Sequence, residues 1–277
     1  MIMHRLTRNE QTSPTRKASY HELAGAAPRR FFFYRANNEI PGAPIVVSVH
    51  GIARNAAAHT YRLIDEAERY GLSIIAPLFE KEHYGQYQQL VDAKTDIRAD
   101  LALLDMLGAA ARLSKADAGR VLLFGFSGGA QFSHRFVLAH PSRVASAVHV
   151  SAGWYTFPDE AKRYPYGLRG GRAQLRLDLA ASLEAPQHVI VGERDLERDS
   201  ALRQTSRLDA RQGKTRVERA HRWVEAMSKV SAGGGAVPSL QFMPSVAHSF
   251  VDAVETGCLP RRVFDHFAKD ANLAVIK

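Results

Sequence analysis

A single cysteine, Cys258, stands in the whole chain of 277 residues, which excludes an intrachain disulfide and fits a reducing compartment. Long hydrophobic runs are missing too. None approaches the ~20 apolar residues that a membrane-spanning helix needs, so no membrane association is expected. The opening MIMHRLTRNEQTSPTRKAS contains no apolar segment of the secretory kind, and the expectation is a cytoplasmic protein. No HExxH, CxxC or phosphate-loop spacing occurs, so neither a metal nor another cofactor is expected. There is also no internal repeat, and oligomeric state is left open.

Charge of one sign is in excess. The net value of +9 suits nucleic acid at first sight. Much of that excess falls in 194–222, where arginines alternate with Asp195, Glu197, Asp199, Asp209 and Glu218. Mixed signs at helical spacing read as a solvated face. Zinc-finger spacing, aromatic RNA-binding strands and long basic blocks are absent, so no nucleic-acid partner is expected. The balance remains suited to anionic substrates.

What is present is an alternation. Residues 1–28 are polar and mixed and read as an N-terminal arm, leaving 29–277 as the folded domain. Apolar strands are predicted at 29–36, 44–50, 72–77, 120–126, 144–151, 187–192 and 239–243. Helical patterns fall at 61–70, 96–113, 129–139, 216–229 and 251–268. In the second of these, Ile97, Leu101, Leu104 and Leu107 share one face. Nearly continuous Val, Ile and Leu strands separated by helices imply an α/β protein, its twisted, mostly parallel sheet covered on both faces. The stretch 153–186 (GWYTFPDEAKRYPYGLRGG at its start) breaks the rhythm and reads as an excursion over the carboxyl edge of the sheet.

One segment carries chemistry. In VLLFGFSGGAQF a strand runs into Gly125-Phe126-Ser127-Gly128-Gly129 and then into a helix. A reactive serine at so sharp a turn requires small neighbours, and Gly125 and Gly129 supply the space. Its hydroxyl then stands at a helix amino end, where free N–H groups favour a developing negative charge. The plain alternative is a glycine turn with Ser127 as helix cap. The strand before and the helix after favour the nucleophile-elbow reading.

Together with IVVSVHGIARNA (45–56), VIVGERD (189–195) and MPSVAHSF (243–250), this segment resembles the α/β-hydrolase family over roughly 29–270. The resemblance is nearest to the polyhydroxyalkanoate depolymerase and feruloyl esterase-like branch. It implies the α/β-hydrolase fold and a serine esterase with Ser127 as nucleophile, His248 as base and Asp195 as acid. Asp199 is the reserve for the acid. Of the twelve histidines, only His248 follows a predicted strand in a loop of small residues. His134, His140, His149 and His221 fall in or beside helices and strands, and His266 reads as surface. The oxyanion is expected at the backbone N–H groups of Gly128 and Ile52, with His50 a structural member of that turn.

Arg54 and Asn55, close by in sequence, are candidates for the polar end of a substrate. Tyr84, Tyr87, Trp154, Tyr155 and Phe157 are candidate pocket residues; covering the sheet is the alternative for each. Lacking the signal peptide and disulfides of secreted members, the chain is expected to act on a small-molecule ester. A peptidase or thioesterase with the same triad, and a non-catalytic binding protein of the same fold, are the other classes.

Overall fold

The computed structural model describes residues 17–171 and 173–276. Eight strands form one sheet: β1 (Ser19–Leu23), β2 (Arg29–Tyr34), β3 (Pro44–Val49), β4 (Ile74–Leu78), β5 (Asp117–Phe126), β6 (Val144–Val150), β7 (Gln187–Gly192) and β8 (Ser239–Met243). Their order is β1-β2-β4-β3-β5-β6-β7-β8. Only β2 runs against the others; β4, β3, β5, β6, β7 and β8 are all parallel. The helices are α1 (Ala56–Tyr70), α2 (Ala99–Ala110), α3 (Gly128–Ala139), α4 (Leu179–Ser182), α5 (Ser206–Gln212), α6 (Arg216–Ser231), α7 (Phe250–Glu255) and α8 (Leu259–Asp270). This is the α/β-hydrolase fold that the resemblance implies.

The continuous apolar strands are explained by burial on both faces. Along β5, Leu122 and Phe124 join the core under α1 and α8, while Val121 and Leu123 join the one under α2 and α3. Adjacent residues face opposite ways, so every position must be apolar. A third cluster packs Trp223 of α6 on Tyr155, Val189 and Val191.

Several elements differ from the sequence reading. Part of the stretch read as an arm is sheet, since β1 pairs with β2 from Ser19↔Phe33 to Leu23↔Arg29. The rest of that arm, 1–16, lies outside the described residues. In α2 the buried face is Ala99, Ala102, Leu103, Met106, Leu107 and Ala110, and Leu101 is exposed. Small alanines let that helix approach the sheet, which a count of leucines does not register. The closing helix is two helices. Cys258 between them has φ 51°, and Pro260 sits in the first turn of α8, where no donor is needed. Among the described residues no helix is long and apolar enough to cross a membrane.

Chain direction places the functional edge. From β3 the chain turns through α1 to β4 on one side; from β5 it turns through α3 to β6 on the other. A crevice therefore opens between the carboxyl ends of β3 and β5, the switch point where ligands bind in such sheets.

Away from that edge, Asp100 anchors α2. It is fully buried and accepts from Arg98 at 2.8 Å and 2.5 Å and from His140 at 2.7 Å. Burial pushes its carboxyl upward, but the bonds from Arg98 and His140 outweigh it and hold it below the usual range. A depressed carboxylate contributes stability above its unfolded pKa and loses it as pH falls through the folded value. Asp100→Asn should cost about 3 kcal/mol at neutral pH, as for other broken buried pairs. Urea denaturation at pH 7 and pH 3 should show the gap from wild type narrowing at the lower pH.

Candidate active site

Ser127 sits between β5 and α3 with φ 54° and ψ −110°, a conformation that side chains rarely adopt. Its amide donates to Val150 at 2.8 Å, which ties the turn to the end of β6. The neighbouring glycines make the turn possible. A Cβ on Gly125 would lie 2.2 Å from the Gly129 carbonyl oxygen, and one on Gly129 would lie 2.0 Å from that of Val49. Backbone is packed on backbone here, leaving no room for even a methyl group.

The Ser127 hydroxyl is 3.0 Å from Nε2 of His248. Nδ1 of the same ring is 2.8 Å from Oδ2 of Asp195. A carboxylate only accepts, so Nδ1 carries the hydrogen and Nε2 is left to accept from the serine. The ring of Phe126 stacks on His248 with centroids 5.5 Å apart. Asp195 and His248 are 53 residues apart, yet their loops are stitched together. Glu193 and Arg194 donate from their amides to the Met243 and Val246 carbonyls, both at 2.9 Å. The fit again requires a glycine, since a Cβ on Gly192 would lie 2.4 Å from the Val246 oxygen.

Asp199 does not reach the imidazole; it faces Arg216. The Arg216 guanidinium lies 3.2 Å from Asp195 and 3.0 Å from Asp199, with its side chain 1% exposed. Burial pushes the Asp199 carboxyl up, but the hydrogen bonds from Arg216 win and hold it below its ordinary range. Arg216 was not legible as a site residue, and the reading of 194–222 as a solvated face is corrected at three charged positions, of which buried Asp195 is the first. Arg216 and Arg219 are both buried, three residues apart on the inner face of α6. Thr215 capping that helix was the one local signal that residue 216 opens it.

Gly128 opens α3, and a Cβ on it would lie 3.4 Å from the Ile52 amide nitrogen. Among the described residues neither the Gly128 nor the Ile52 amide has an acceptor. Two free N–H groups thus stand together beside Ser127. His50 fixes the loop that presents Ile52: its Nδ1–H donates to Gly51 at 2.8 Å, and its Nε2 accepts from Phe79 at 3.0 Å. Burial pushes this imidazole down to about 4, so it is neutral and structural. Tyr87 is buried under the same loop and donates to the His50 carbonyl at 2.8 Å. Arg54 packs on the Tyr87 ring at 5.2 Å and donates to the Phe79 carbonyl. Asn55 is the half-buried residue preceding α1.

The other aromatic candidates separate. Tyr84 and Tyr155 are 2% and 0% exposed and belong to the core, so they cover the sheet and offer a ligand no surface. Trp154 is also buried, with Arg135 on its ring at 4.1 Å. Phe157 is half-buried at the start of the excursion. The remaining histidines have local explanations. His134 and His149 are fully buried, His140 pairs with Asp100, and His221 is exposed. His266, read as surface, is half-buried and stacks on His188 at 3.9 Å. Among the described residues no cluster of His, Cys, Asp or Glu is arranged to hold a metal.

No protein-family profile matches the chain, and no curated protein matches it. Solved structures do. The poly(3-hydroxybutyrate) depolymerase LpqC from Bordetella parapertussis is 26% identical with a TM-score of 0.72, covering 89% of this chain and 94% of its own. Poly(aspartic acid) hydrolase-1 from Sphingomonas sp. KT-1 is 24% identical with a TM-score of 0.76, covering 90% and 98%. An S-formylglutathione hydrolase from Agrobacterium tumefaciens is 16% identical with a TM-score of 0.61, covering 92% and 94%. In fold the chain stands with esterases and depolymerases.

The glycine contacts give a paired prediction. Gly129→Ala should cost more than about 3 kcal/mol, because backbone rather than a flexible side chain must move. Gly108, inside α2 with nothing within 4 Å of an added Cβ, is the control. Gly108→Ala should stabilise by up to about 1 kcal/mol, and thermal unfolding of both variants reads the contrast.

Proposed function

We propose that this chain, a hydrolase of the α/β-hydrolase fold, cleaves a carboxylic ester through an acyl-enzyme on Ser127. The observation that carries the reading is the run Ser127–His248–Asp195, at 3.0 Å and 2.8 Å, beside two amides without acceptors. A serine hydroxyl is a weak nucleophile at neutral pH and needs a base at this distance. Its strained backbone lifts the hydroxyl over the carboxyl edge of the sheet, toward an incoming carbonyl.

The chemistry follows from the positions. Ser127 Oγ attacks the carbonyl carbon while its proton passes to His248 Nε2. The carbonyl oxygen takes up the electron pair and is met by the N–H groups of Gly128 and Ile52. Asp195 holds the ring in the productive tautomer and offsets the imidazolium charge. His248 then gives the proton to the departing alcohol as the C–O bond breaks. Water, deprotonated by the same nitrogen, releases the acid and restores Ser127. His50 takes no part: both its nitrogens are engaged and it is buried.

The names of two structural neighbours pair an ester polymer with an amide polymer, so the bond class is tested directly. p-Nitrophenyl esters should be hydrolysed and their anilide analogues should not. Ser127→Ala should reduce ester turnover on the order of 10³-fold or more. A fluorophosphonate should label wild type stoichiometrically at Ser127, read by peptide mass spectrometry. Retention of more than a tenth of wild-type turnover in the folded variant would remove Ser127 from the mechanism.

The two aspartates are distinguished by what they touch. Asp195→Asn should lower kcat by roughly 10³–10⁴-fold, since an amide supports the wrong tautomer. Asp199→Asn should cost less than about tenfold, because it reaches His248 only through Arg216 and Asp195. Both are assayed at saturating ester after circular dichroism shows each folded. The reverse order would transfer the acid to Asp199.

A further inference from the structure

Beyond the triad, the excursion and the helices α5 and α6 line an open cavity of about 880 Å³. Its wall carries Lys162, Arg163, Arg169, Arg207, Arg211 and Lys229 against one carboxylate, Asp159. Lys229 pairs with Glu225 at 2.7 Å. The other five cations have no ion pair among the described residues. Nearby arginines are treated differently. Arg198, Arg216 and Arg219 each meet an aspartate, at 2.7 Å, 3.0 Å and 2.8 Å in turn. Positive charge left unpaired around a concave space repels itself and attracts anions.

The cavity is joined to the candidate catalytic edge by covalent chain. The strand that holds the Ser127 amide through Val150 continues as 151–157, and Phe157 lines the cavity. The seven residue steps from Val150 to Phe157 span at most ~25 Å, the reach of a short oligomer. Tyr166, also in the cavity wall, packs on Trp154 at 5.1 Å. The exposed guanidinium of Arg203 lies over both rings, at 5.4 Å and 5.5 Å, and forms no ion pair among the described residues. Cationic and aromatic groups thus continue from the excursion's start into the cavity.

We infer that this cavity binds the anionic arm of the substrate: a chain bearing several carboxylates, whose scissile carbonyl lies at Ser127. This rests on the esterase reading for its catalytic end, while the cavity's charge stands independently of it. Guanidinium groups match carboxylates with paired hydrogen bonds. An open concavity of this size admits a chain segment or small molecule.

The test compares the p-nitrophenyl ester of an acetylated pentaglutamate with its pentaglutamine counterpart and with p-nitrophenyl butyrate, too short to reach the cavity. Wild type should prefer the glutamate ester over the glutamine ester by at least about tenfold in kcat/KM. That preference should shrink between about 0.05 M and about 0.5 M salt. The double variant Arg207→Gln/Arg211→Gln should lose it and hydrolyse the butyrate at the wild-type rate; Arg163→Gln is the second variant, outside α5. Equal use of the two peptide esters by wild type, or a preference intact in both variants, would overturn the proposal. Calorimetry with hexaglutamate on Ser127→Ala separates this from the esterase reading. If no ester is turned over, hexaglutamate binding to Ser127→Ala that adding the double substitution abolishes still supports the cavity, and its absence in Ser127→Ala refutes it. Tripolyphosphate that binds the same arginines without competing with the glutamate ester would also overturn it, making the cavity a separate phosphate site.

Discussion

The contact of Gly129 with the Val49 carbonyl is the constraint on which the rest of the site depends. It brings the start of α3 against the end of β3, so the amides of Gly128 and Ile52 become neighbours. Any side chain at position 129 would drive the helix outward and part those two donors. The same approach leaves Ser127 no ordinary backbone conformation, and strain of this kind costs on the order of 1–3 kcal/mol. Burial of α3 offsets it, for Phe132, Phe136 and Val137 on that helix are all fully buried. Geometry at the site is thus held by packing beneath it, and the serine itself contributes little to its own placement.

Electrostatics extends the same economy outward. Asp195 divides its two oxygens between His248 and Arg216, and Arg216 in turn divides its guanidinium between Asp195 and Asp199. With His248 neutral, the two carboxylates and one guanidinium sum to one negative charge. Protonation of the imidazole brings the cluster to neutrality. An isolated Asp195–Arg216 pair would have carried no net charge and opposed the imidazolium less strongly. Asp199, a third exposed, returns the missing charge from the solvent side. The two aspartates four residues apart are therefore complementary, which neither a choice of one as acid nor a dismissal of the other captures.

Local constraints were legible in the sequence and distant ones were not. Gly125, Ser127 and Gly129 announce themselves because a strand-to-helix turn around a strained residue admits few residue types. The order of Asp195 and His248 after their strands is visible for the same reason: each sits where a buried strand meets its loop. Arg216 was missed because its meaning depends on α6 folding back beneath residues 195–199. Tyr84 and Tyr155 were misplaced because an aromatic that fills a core and one that faces a ligand look alike in sequence. Leu101 was assigned inward on the helical spacing it shares with Ile97, Leu104 and Leu107, whereas Ala99, Ala102 and Ala110 let α2 lie close to the sheet. The closing helix was read as continuous because its apolar spacing survives the break at Cys258.

Net charge was the least legible property, since one number covers two physical situations. A buried arginine must find partners, because an isolated buried charge costs more than the fold can supply; Arg135 finds them in the Thr156 hydroxyl and the Gln88 and Gln131 carbonyls. Arg216 and Arg219 obey that requirement, each with an aspartate within 3.2 Å. An arginine at the mouth of a cavity is under no such demand: water satisfies it until an anion replaces the water. Composition adds the two kinds together, and alternation with acids makes both resemble a solvated face. Only their depth separates them. Paired arginines hold α6 and the candidate acid in place, and the unpaired ones set the potential that an approaching substrate meets.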